Sequence, residues 1–250
     1  MEVLGIDIGG SGIKASVVDT ETGTLLGERF RIPTPADTSP PKIMSRIHDI
    51  RTHFQWEGPI GVAIPESVRY GVVQQANNLD GSWVDVNAQE LFEQTTDCPV
   101  AVLNDADAAG VAEMKFGAGE NQKGVVILLT VGTGIGSALF MEKKLVPNTE
   151  LGHLLVGNNQ AGDYASERTR INEGLKRREW AKRLEEVLQF YERIFYPDLF
   201  IISGGMSDQA DKTLPHVDIR TPLVPAAFLN NAGIAGAAIV AAEMISETGR

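Results

Sequence analysis

The sequence has a single cysteine, Cys98, among its 250 residues. One thiol forms neither an intrachain disulfide nor a zinc site built on several thiolates, so we expect no zinc site. No apolar run reaches the roughly 20 residues that span a bilayer, and residues 124–140, the longest candidate, contain four glycines. The chain starts with a β-rich segment and shows no basic leader or apolar signal segment. These absences predict a cytoplasmic protein that contacts no membrane.

Basic residues are also scarce, because 22 Lys and Arg stand against 33 Asp and Glu, for a net charge of -11. Non-specific nucleic-acid binding needs a basic surface, so we expect no nucleic-acid partner. A polyanionic ligand would need positive charge concentrated at one place. The densest basic cluster lies within residues 168–183, but only Arg178 and Lys182 share the helix face opposite the apolar stripe, which favours a solvated helix surface.

Glycine, by contrast, is abundant and forms two similar turns. The first turn joins two β-rich runs, residues 3–8 and 13–18, and the second joins residues 125–130 and 136–141. Glycines in such turns allow positive φ and let backbone N–H groups approach a phosphate. A dinucleotide-binding motif needs a helix after the glycines and a P-loop needs Gly-Lys-Ser/Thr, and neither follows here. The alternative for either turn taken alone is an ordinary hairpin.

Alternating apolar runs and helical patterns predict an α/β protein. Further strands are expected at residues 25–32, 60–64, 100–103 and 199–202, and helices through residues 43–50, 88–95, 105–116, 175–196 and 231–245, with loops at 34–41 and 158–174. The repeated strand–turn–strand opening indicates two duplicated lobes: a small lobe, 1–109 completed by the C-terminal helix 231–250, and a large lobe, 110–230. Ligands of such folds bind beyond the carboxyl ends of strands, so we expect one cleft between the lobes.

Three charged residues near the strand ends carry candidate chemistry. Asp105 follows a buried strand and opens a helix, where its carboxylate can accept the proton of an attacking hydroxyl. The alternative for Asp105 is a helix N-cap. Asp7 can hold a Mg²⁺ ion through water, and Lys14 can offset phosphate charge. Two backbone cradles and one carboxylate therefore predict a phosphoryl-transfer site.

Amide, carboxylate and imidazole side chains supply a candidate polyol site. Asn77 and Asn78 lie in a loop and can hydrogen-bond to vicinal hydroxyls, while Glu150 and His153 add a carboxylate and an imidazole. The alternative is that these are ordinary loop residues.

The sequence resembles the ROK family of sugar kinases, in the superfamily that includes actin. The resemblance rests on four features in this order: the first turn, Asn104 with Asp105, the second turn, and Glu150 with His153. The resemblance implies a two-lobed actin-like ATPase, or ribonuclease H-like, fold with a cleft between duplicated lobes. It also implies that Asp105 is the catalytic base and contacts glucose, with further glucose contacts from Asn78, Asn104, Glu150 and His153. A homodimer is implied by the family alone.

The same resemblance implies Mg²⁺ and a phosphate donor, inorganic polyphosphate and/or ATP. The donor phosphates are expected at both turns and their flanks, at Asp7, Gly9, Gly10, Ser11, Gly12, Lys14, Thr130, Gly132, Thr133 and Gly134. Gly204 and Gly205 match the turn near the adenosine of a nucleotide donor. Like the polyphosphate-using members, this chain lacks a cysteine-rich zinc motif after His153. Whether Glu167 replaces the second sugar-binding glutamate of the family stays open.

Three other functions compete with a polyphosphate-dependent glucokinase. One is a strictly ATP-dependent kinase for glucose, mannose or another hexose. Another is a sugar-responsive regulator, which would need a helix-turn-helix ahead of the strand that begins at Val3. The third is an inactive sugar-binding protein, which the intact Asp105 and both glycine turns argue against.

Overall fold

The computed structural model describes residues 1–248, which form helices and sheets in two compact units. Unit 1 comprises Met1–Ala112 with Asn231–Arg250, and unit 2 comprises Glu113–Asn230. Gly249 and Arg250, at the end of the predicted C-terminal helix, lie outside the described residues. The predicted lobe bounds stay a prediction.

The strands and helices are numbered in chain order. The strands are β1 (Glu2–Ile8), β2 (Ile13–Asp19), β3 (Thr24–Leu25), β4 (Phe30–Ile32), β5 (Ile60–Ile64), β6 (Val68–Arg69), β7 (Val72–Val73), β8 (Val100–Asn104), β9 (Val125–Val131), β10 (Ile135–Met141), β11 (Lys144–Val146), β12 (Leu155–Val156), β13 (Asn159–Gln160), β14 (Leu199–Ser203) and β15 (Leu223–Pro225). The helices are α1 (Pro40–Phe54), α2 (Ala88–Thr96), α3 (Asp105–Phe116), α4 (Ala161–Ala165), α5 (Glu167–Asn172), α6 (Arg177–Phe195), α7 (Ala210–Thr213) and α8 (Ala232–Thr248).

Each unit contains one large sheet and one two-stranded sheet, β6–β7 in unit 1 and β12–β13 in unit 2, and the two large sheets have the same plan. In unit 1 the strand order is β3-β2-β1-β5-β8, with β4 also paired to β2. In unit 2 the order is β11-β10-β9-β14-β15. Each sheet has a central antiparallel hairpin, β1–β2 or β9–β10, and two further strands parallel to the first strand of that hairpin. The duplication expected from the sequence is therefore present in the topology.

Helix α8 covers the sheet of unit 1 at very close range. A Cβ added at Gly61 in β5 would overlap the carbonyl oxygen of Ala237. A Cβ at Gly5 in β1 would likewise overlap the carbonyl oxygen of Ile234. By length and composition, residues Leu229–Glu247 could cross a membrane, a candidate that the sequence analysis did not count. Half of that segment is buried, and it packs as a core helix against β1, β5 and β8.

Helix α6 of unit 2 is amphipathic, as its sequence pattern predicts. Trp180, Leu184 and Leu188 are fully buried, and the buried Tyr191 donates its hydroxyl to the carbonyl of Leu151 at 2.7 Å. Burial raises the pKa of Tyr191, so the phenol stays protonated. Ile194, expected on the same face, is 48% exposed because it lies in the last turn of the helix.

Four local predictions differ from the structure. The expected strand at residues 25–32 is divided into β3 and β4, with Gly27 at φ +105° between them. Helix α1 begins at Pro40, inside the expected loop, because proline fits the first turn of a helix. The expected loop at 158–174 contains β13, α4 and α5, and the tight turn expected after Ser203 is a 3₁₀ helix, Gly204–Gln209.

Candidate active site

The predicted site residues of unit 1 follow three neighbouring parallel strands. Asp7 near the end of β1 is in register with Ala63 of β5, and Ile64 of β5 is in register with Asn104 of β8. Adjacent strands lie about 5 Å apart, so the carboxyl ends of β1, β5 and β8 form one edge about 10 Å wide. The first glycine turn and Asp105 therefore share this edge of the sheet.

Asn104, rather than Asp105, is the N-cap of α3. Its Oδ1 accepts the backbone N–H of Ala106 at 2.9 Å and that of Asp107 at 3.1 Å. The alternative that Asp105 serves only as the cap is therefore wrong. Asp105 is partly exposed, whereas Asp107 is 1% exposed. The accessible carboxylate at the start of the helix is that of Asp105.

The first glycine turn does not use left-handed backbone. None of Gly9, Gly10 and Gly12 has positive φ, so the expectation that glycines of this turn adopt positive φ is wrong. At Gly12 the reason for glycine is space, since an added Cβ would lie 2.5 Å from Nε of Arg31. Arg31 donates through Nη2 to the carbonyl of Ser11 at 2.8 Å. Sequence reasoning missed Arg31, whose only signal is the pairing of β4 with β2.

Asp7 and Lys14 face each other across the β1–β2 hairpin. Their Cα atoms are register partners, and Nζ of Lys14 lies 3.2 Å from Oδ2 of Asp7. Their side chains are 15% and 24% exposed, respectively. Among the described residues no group of three or more His, Cys, Asp or Glu could hold a metal ion. The Mg²⁺ role of Asp7 stays a prediction, and Lys14 supplies positive charge beside its carboxylate.

The loop that carries Asn77 and Asn78 lies beside the end of β5. Nδ2 of Asn78 donates to the carbonyl of Pro65 at 2.7 Å, and the Asn78 side chain is exposed. Backbone N–H groups of this loop donate to the carboxylate of Glu66. Sequence reasoning missed Glu66, because the contact joins two loops 11 to 13 residues apart with no local pattern.

The second glycine turn, in unit 2, is open. Its backbone closes through a hydrogen bond from Gly132 N–H to the carbonyl of Gly134 at 3.0 Å. A Cβ added at Gly132 or Gly134 meets no atom within 4 Å, and neither residue has positive φ. Thr133 is exposed, and Thr130 in β9 is partly exposed. The described residues therefore leave this stretch of backbone sterically open.

Gly204 and Gly205 lie at the same sheet edge as the second turn. Strands β9 and β14 are parallel, with Ser203 in register with Thr130. Gly204 has φ +81°, and an added Cβ would lie 2.9 Å from the carbonyl oxygen of Val131. Glycine is therefore required at this position for both conformation and space.

Glu150 and His153 flank a buried pair of residues in a 3₁₀ helix, Leu151–His153. The N–H of Leu151 donates to Oγ of Ser137 at 3.0 Å. A Cβ at Gly152 would overlap the carbonyl oxygen of Ile135, the residue after the second turn. Glu150 is partly exposed and His153 is exposed. The structure therefore brings the Glu-x-Gly-His segment next to the second glycine turn.

Glu167 and Arg168 lie against the two glycine segments of unit 2. An added Cβ at Gly205 would lie 2.8 Å from Oε2 of Glu167. The backbone N–H of Arg168 donates to the carbonyl of Gly132 at 3.1 Å, and the Arg168 side chain is exposed. The carboxylate of Glu167 thus lies beside the turn that the family resemblance assigns to adenosine.

Neighbouring carboxylates pair with three of the seven basic residues in the cluster at 168–183. Arg170 pairs with Glu167 at 3.4 Å, Lys182 with Glu185 at 3.0 Å, and Arg183 with Glu173 at 2.6 Å. The Arg183 guanidinium holds the pKa of Glu173 below its ordinary value. The solvated helix surface that the sequence pattern favours for α6 stays a prediction.

Known proteins similar to this chain include sugar kinases. The sequence model of the ROK family matches residues 3–166. A polyphosphate glucokinase of Mycobacterium tuberculosis is 46% identical over 236 residues, covering 94% of this chain and 89% of that protein. A crystal structure of an inorganic polyphosphate/ATP-glucomannokinase from Arthrobacter sp. strain KM matches with a TM-score of 0.93 and 43% identity, covering 97% of this chain and 99% of that chain.

A more distant match shares the architecture. A ROK family glucokinase from Streptomyces griseus, in complex with glucose and AMPPNP, has a TM-score of 0.82 and 24% identity, covering 97% of this chain and 100% of that chain. The predicted actin-like ATPase fold is confirmed by these structures. Because these sequence matches cover most of its length, the chain belongs to the ROK family.

Proposed function

We propose that this protein transfers the terminal phosphoryl group of inorganic polyphosphate, or of ATP, to the 6-hydroxyl of glucose. The observation that carries the proposal is the partly exposed Asp105 at the carboxyl end of β8, directly after Asn104, which caps α3. The likeness to a polyphosphate glucokinase and to a polyphosphate/ATP-glucomannokinase supports the substrate pair.

In the proposed reaction Asp105 accepts the proton of the 6-hydroxyl. The sugar oxygen forms a bond to the terminal phosphorus, and the bond from that phosphorus to the bridging oxygen breaks. The shortened polyphosphate, or ADP, leaves with the electron pair. Positioning and electrostatic stabilisation supply most of the acceleration in such transfers. Asn78, Asn104, Glu150 and His153 are proposed to orient the glucose.

The donor phosphates are proposed to lie against the glycine turns. Open backbone at Gly132 and Gly134 supports close approach of phosphate oxygens to N–H groups. Lys14 and Arg31 add positive charge at the first turn. A Mg²⁺ ion, held through water by Asp7, would neutralise phosphate charge. A cytoplasmic homodimer belongs to the same proposal.

A strictly ATP-dependent hexokinase is the second candidate. The carboxylate of Glu167 lies beside Gly205, on the turn where the adenosine of a nucleotide is expected. That carboxylate is paired with Arg170 at 3.4 Å and adenosine is uncharged, so this contact does not distinguish ATP from polyphosphate. The parallel assay with both donors makes the distinction.

The test is a glucose phosphorylation assay with long-chain polyphosphate and ATP in parallel, on wild type and Asp105→Asn. We expect wild type to use polyphosphate and Asp105→Asn to lose about 10³-fold or more in kcat, since a general base and its charge are removed. Calorimetry should show glucose binding to Asp105→Asn. Activity with ATP alone would favour the second candidate, and near-normal turnover of the variant would remove Asp105 from the mechanism.

A further inference from the structure

A buried carboxylate, that of Glu66, holds the loop on which Asn78 lies. Glu66 is 2% exposed. Its Oε2 accepts the backbone N–H of Asn77 at 2.9 Å, and its Oε1 accepts those of Asn78 and Leu79, each at 2.6 Å. Hydrogen bonds to an ionised carboxylate are stronger than neutral ones. Three consecutive amides directed at one carboxylate therefore fix the path of residues 77–79.

The main chain at residues 65–66 also reaches the predicted catalytic helix. The carbonyl oxygen of Glu66 accepts Nδ2 of Asn104 at 3.3 Å. Asn104 in turn caps α3, the helix that opens with Asp105. Pro65 accepts the side-chain amide of Asn78 at 2.7 Å. Two predicted sugar contacts, Asn78 and Asn104, are thus both tied to one dipeptide at the end of β5.

We infer that Glu66 is a positioning residue for glucose recognition, whose carboxylate acts through the loop of Asn78 rather than on the sugar itself. The inference rests on the proposed function. Since the loop that the Glu66 carboxylate holds carries Asn78, a proposed sugar contact, loss of that carboxylate should weaken glucose binding and leave the donor unaffected. Loss of a residue that only stabilises the fold would not weaken the affinity for glucose while leaving the affinity for the donor unchanged.

Unit 2 offers a matched control. Glu113 is also buried, at 0% exposure, and its carboxylate accepts three backbone N–H groups, from Ala118 at 2.8 Å, Ala227 at 3.0 Å and Phe228 at 2.7 Å. No predicted sugar contact is among its partners. Glu66→Gln and Glu113→Gln both place an amide group where a carboxylate oxygen accepts N–H groups, so both should lower Tm.

The test measures glucose binding by calorimetry without donor, and steady-state constants for both substrates, in wild type, Glu66→Gln, Glu66→Asp and Glu113→Gln. We expect Glu66→Gln to raise the Kd and KM for glucose about ten-fold or more. The KM for polyphosphate should change by less than about two-fold, since no donor contact depends on this loop. Glu66→Asp, which keeps the charge, should recover part of the glucose affinity and carries the same comparison if Glu66→Gln fails to fold.

Three results would be decisive against it. Unchanged glucose affinity in the Glu66 variants would overturn the inference, and so would an equal loss in Glu113→Gln, because general destabilisation would then explain both. A wild-type chain that binds no glucose would instead overturn the proposed function, and this inference with it. The first two failures keep glucose binding in the wild type, so the two kinds of failure are distinguishable.

Discussion

The two glycine turns share one strand–turn–strand plan but differ in their surroundings. At the first, Arg31 lies against Gly12 and binds the carbonyl of Ser11, so a protein side chain fills the space beside Gly12, although Gly10 meets no atom within 4 Å. At the second, the space beside Gly132 and Gly134 is empty of protein atoms to 4 Å. The same glycine-rich signature therefore serves internal packing in one unit and leaves an exposed backbone in the other.

This difference separates two reasons for glycine that the sequence does not distinguish. Where a neighbouring side chain fills the space, replacing glycine should cost stability. Where the space is open, replacing glycine should weaken only the interactions of a ligand that contacts the backbone there. The comparison can be tested by matched substitutions in the two turns.

Among the substitutions that test this comparison, the largest effect is expected from Gly134→Ala. The added methyl group meets no protein atom, so Tm should stay within about 2 °C of wild type. Loss of close approach by phosphate should lower kcat/KM for polyphosphate about 100-fold, the scale of removing one backbone donor from a transition-state site. Unchanged kcat/KM would show that the second turn does not hold the donor.

Gly12→Ala should show the opposite pattern. Its Cβ would displace the Arg31 guanidinium and break the bond to Ser11, which should cost about 1–2 kcal/mol. Thermal denaturation should show a Tm about 2–8 °C lower. Gly10→Ala, which meets no atom within 4 Å, is the control. Equal Tm values for these two variants would contradict the packing explanation.

Arg168→Gln tests the positive charge beside the second turn. Arg168 is exposed, and its N–H is bound to Gly132. Removing the charge should raise the KM for polyphosphate about three- to ten-fold and weaken its dependence on salt, with glucose KM unchanged. Arg178→Gln, an exposed arginine on α6, is the matched control. Equal effects of the two variants would indicate general surface charge only.

The smallest effect concerns acid stability in unit 2. Burial alone would raise the pKa of Glu192, but hydrogen bonds from Thr221 hold that pKa below its ordinary value. The backbone N–H of Thr221 donates to Oε1 of Glu192 at 2.6 Å. A lowered folded-state pKa adds stability that is present near neutral pH and lost as the pH falls below about 4. Glu192→Gln should therefore narrow the Tm difference between pH 7 and pH 3.5. A difference as large as in wild type would exclude this role.

Several elements were predictable because their causes are local. The cap of α2 is one, since Oδ1 of Asn87 accepts the N–H of Glu90 as the spacing of the two residues indicates. The apolar stripe of α6 is another, because residues three or four apart share a face. The role of Asn104 as cap was not separable from that of Asp105, because adjacent polar residues at a helix start offer the same pattern.

The sequence by itself determined the repeated strand–turn–strand plan, the helices and the family, because residue spacing and turn chemistry act over a few residues. Only the tertiary structure decided that Glu66 holds the loop of Asn78, that Arg31 fills the first turn and that Glu167 lies beside Gly205. Each of these contacts joins segments distant along the chain, where hydrogen-bond geometry and available volume, not periodicity, select the partner.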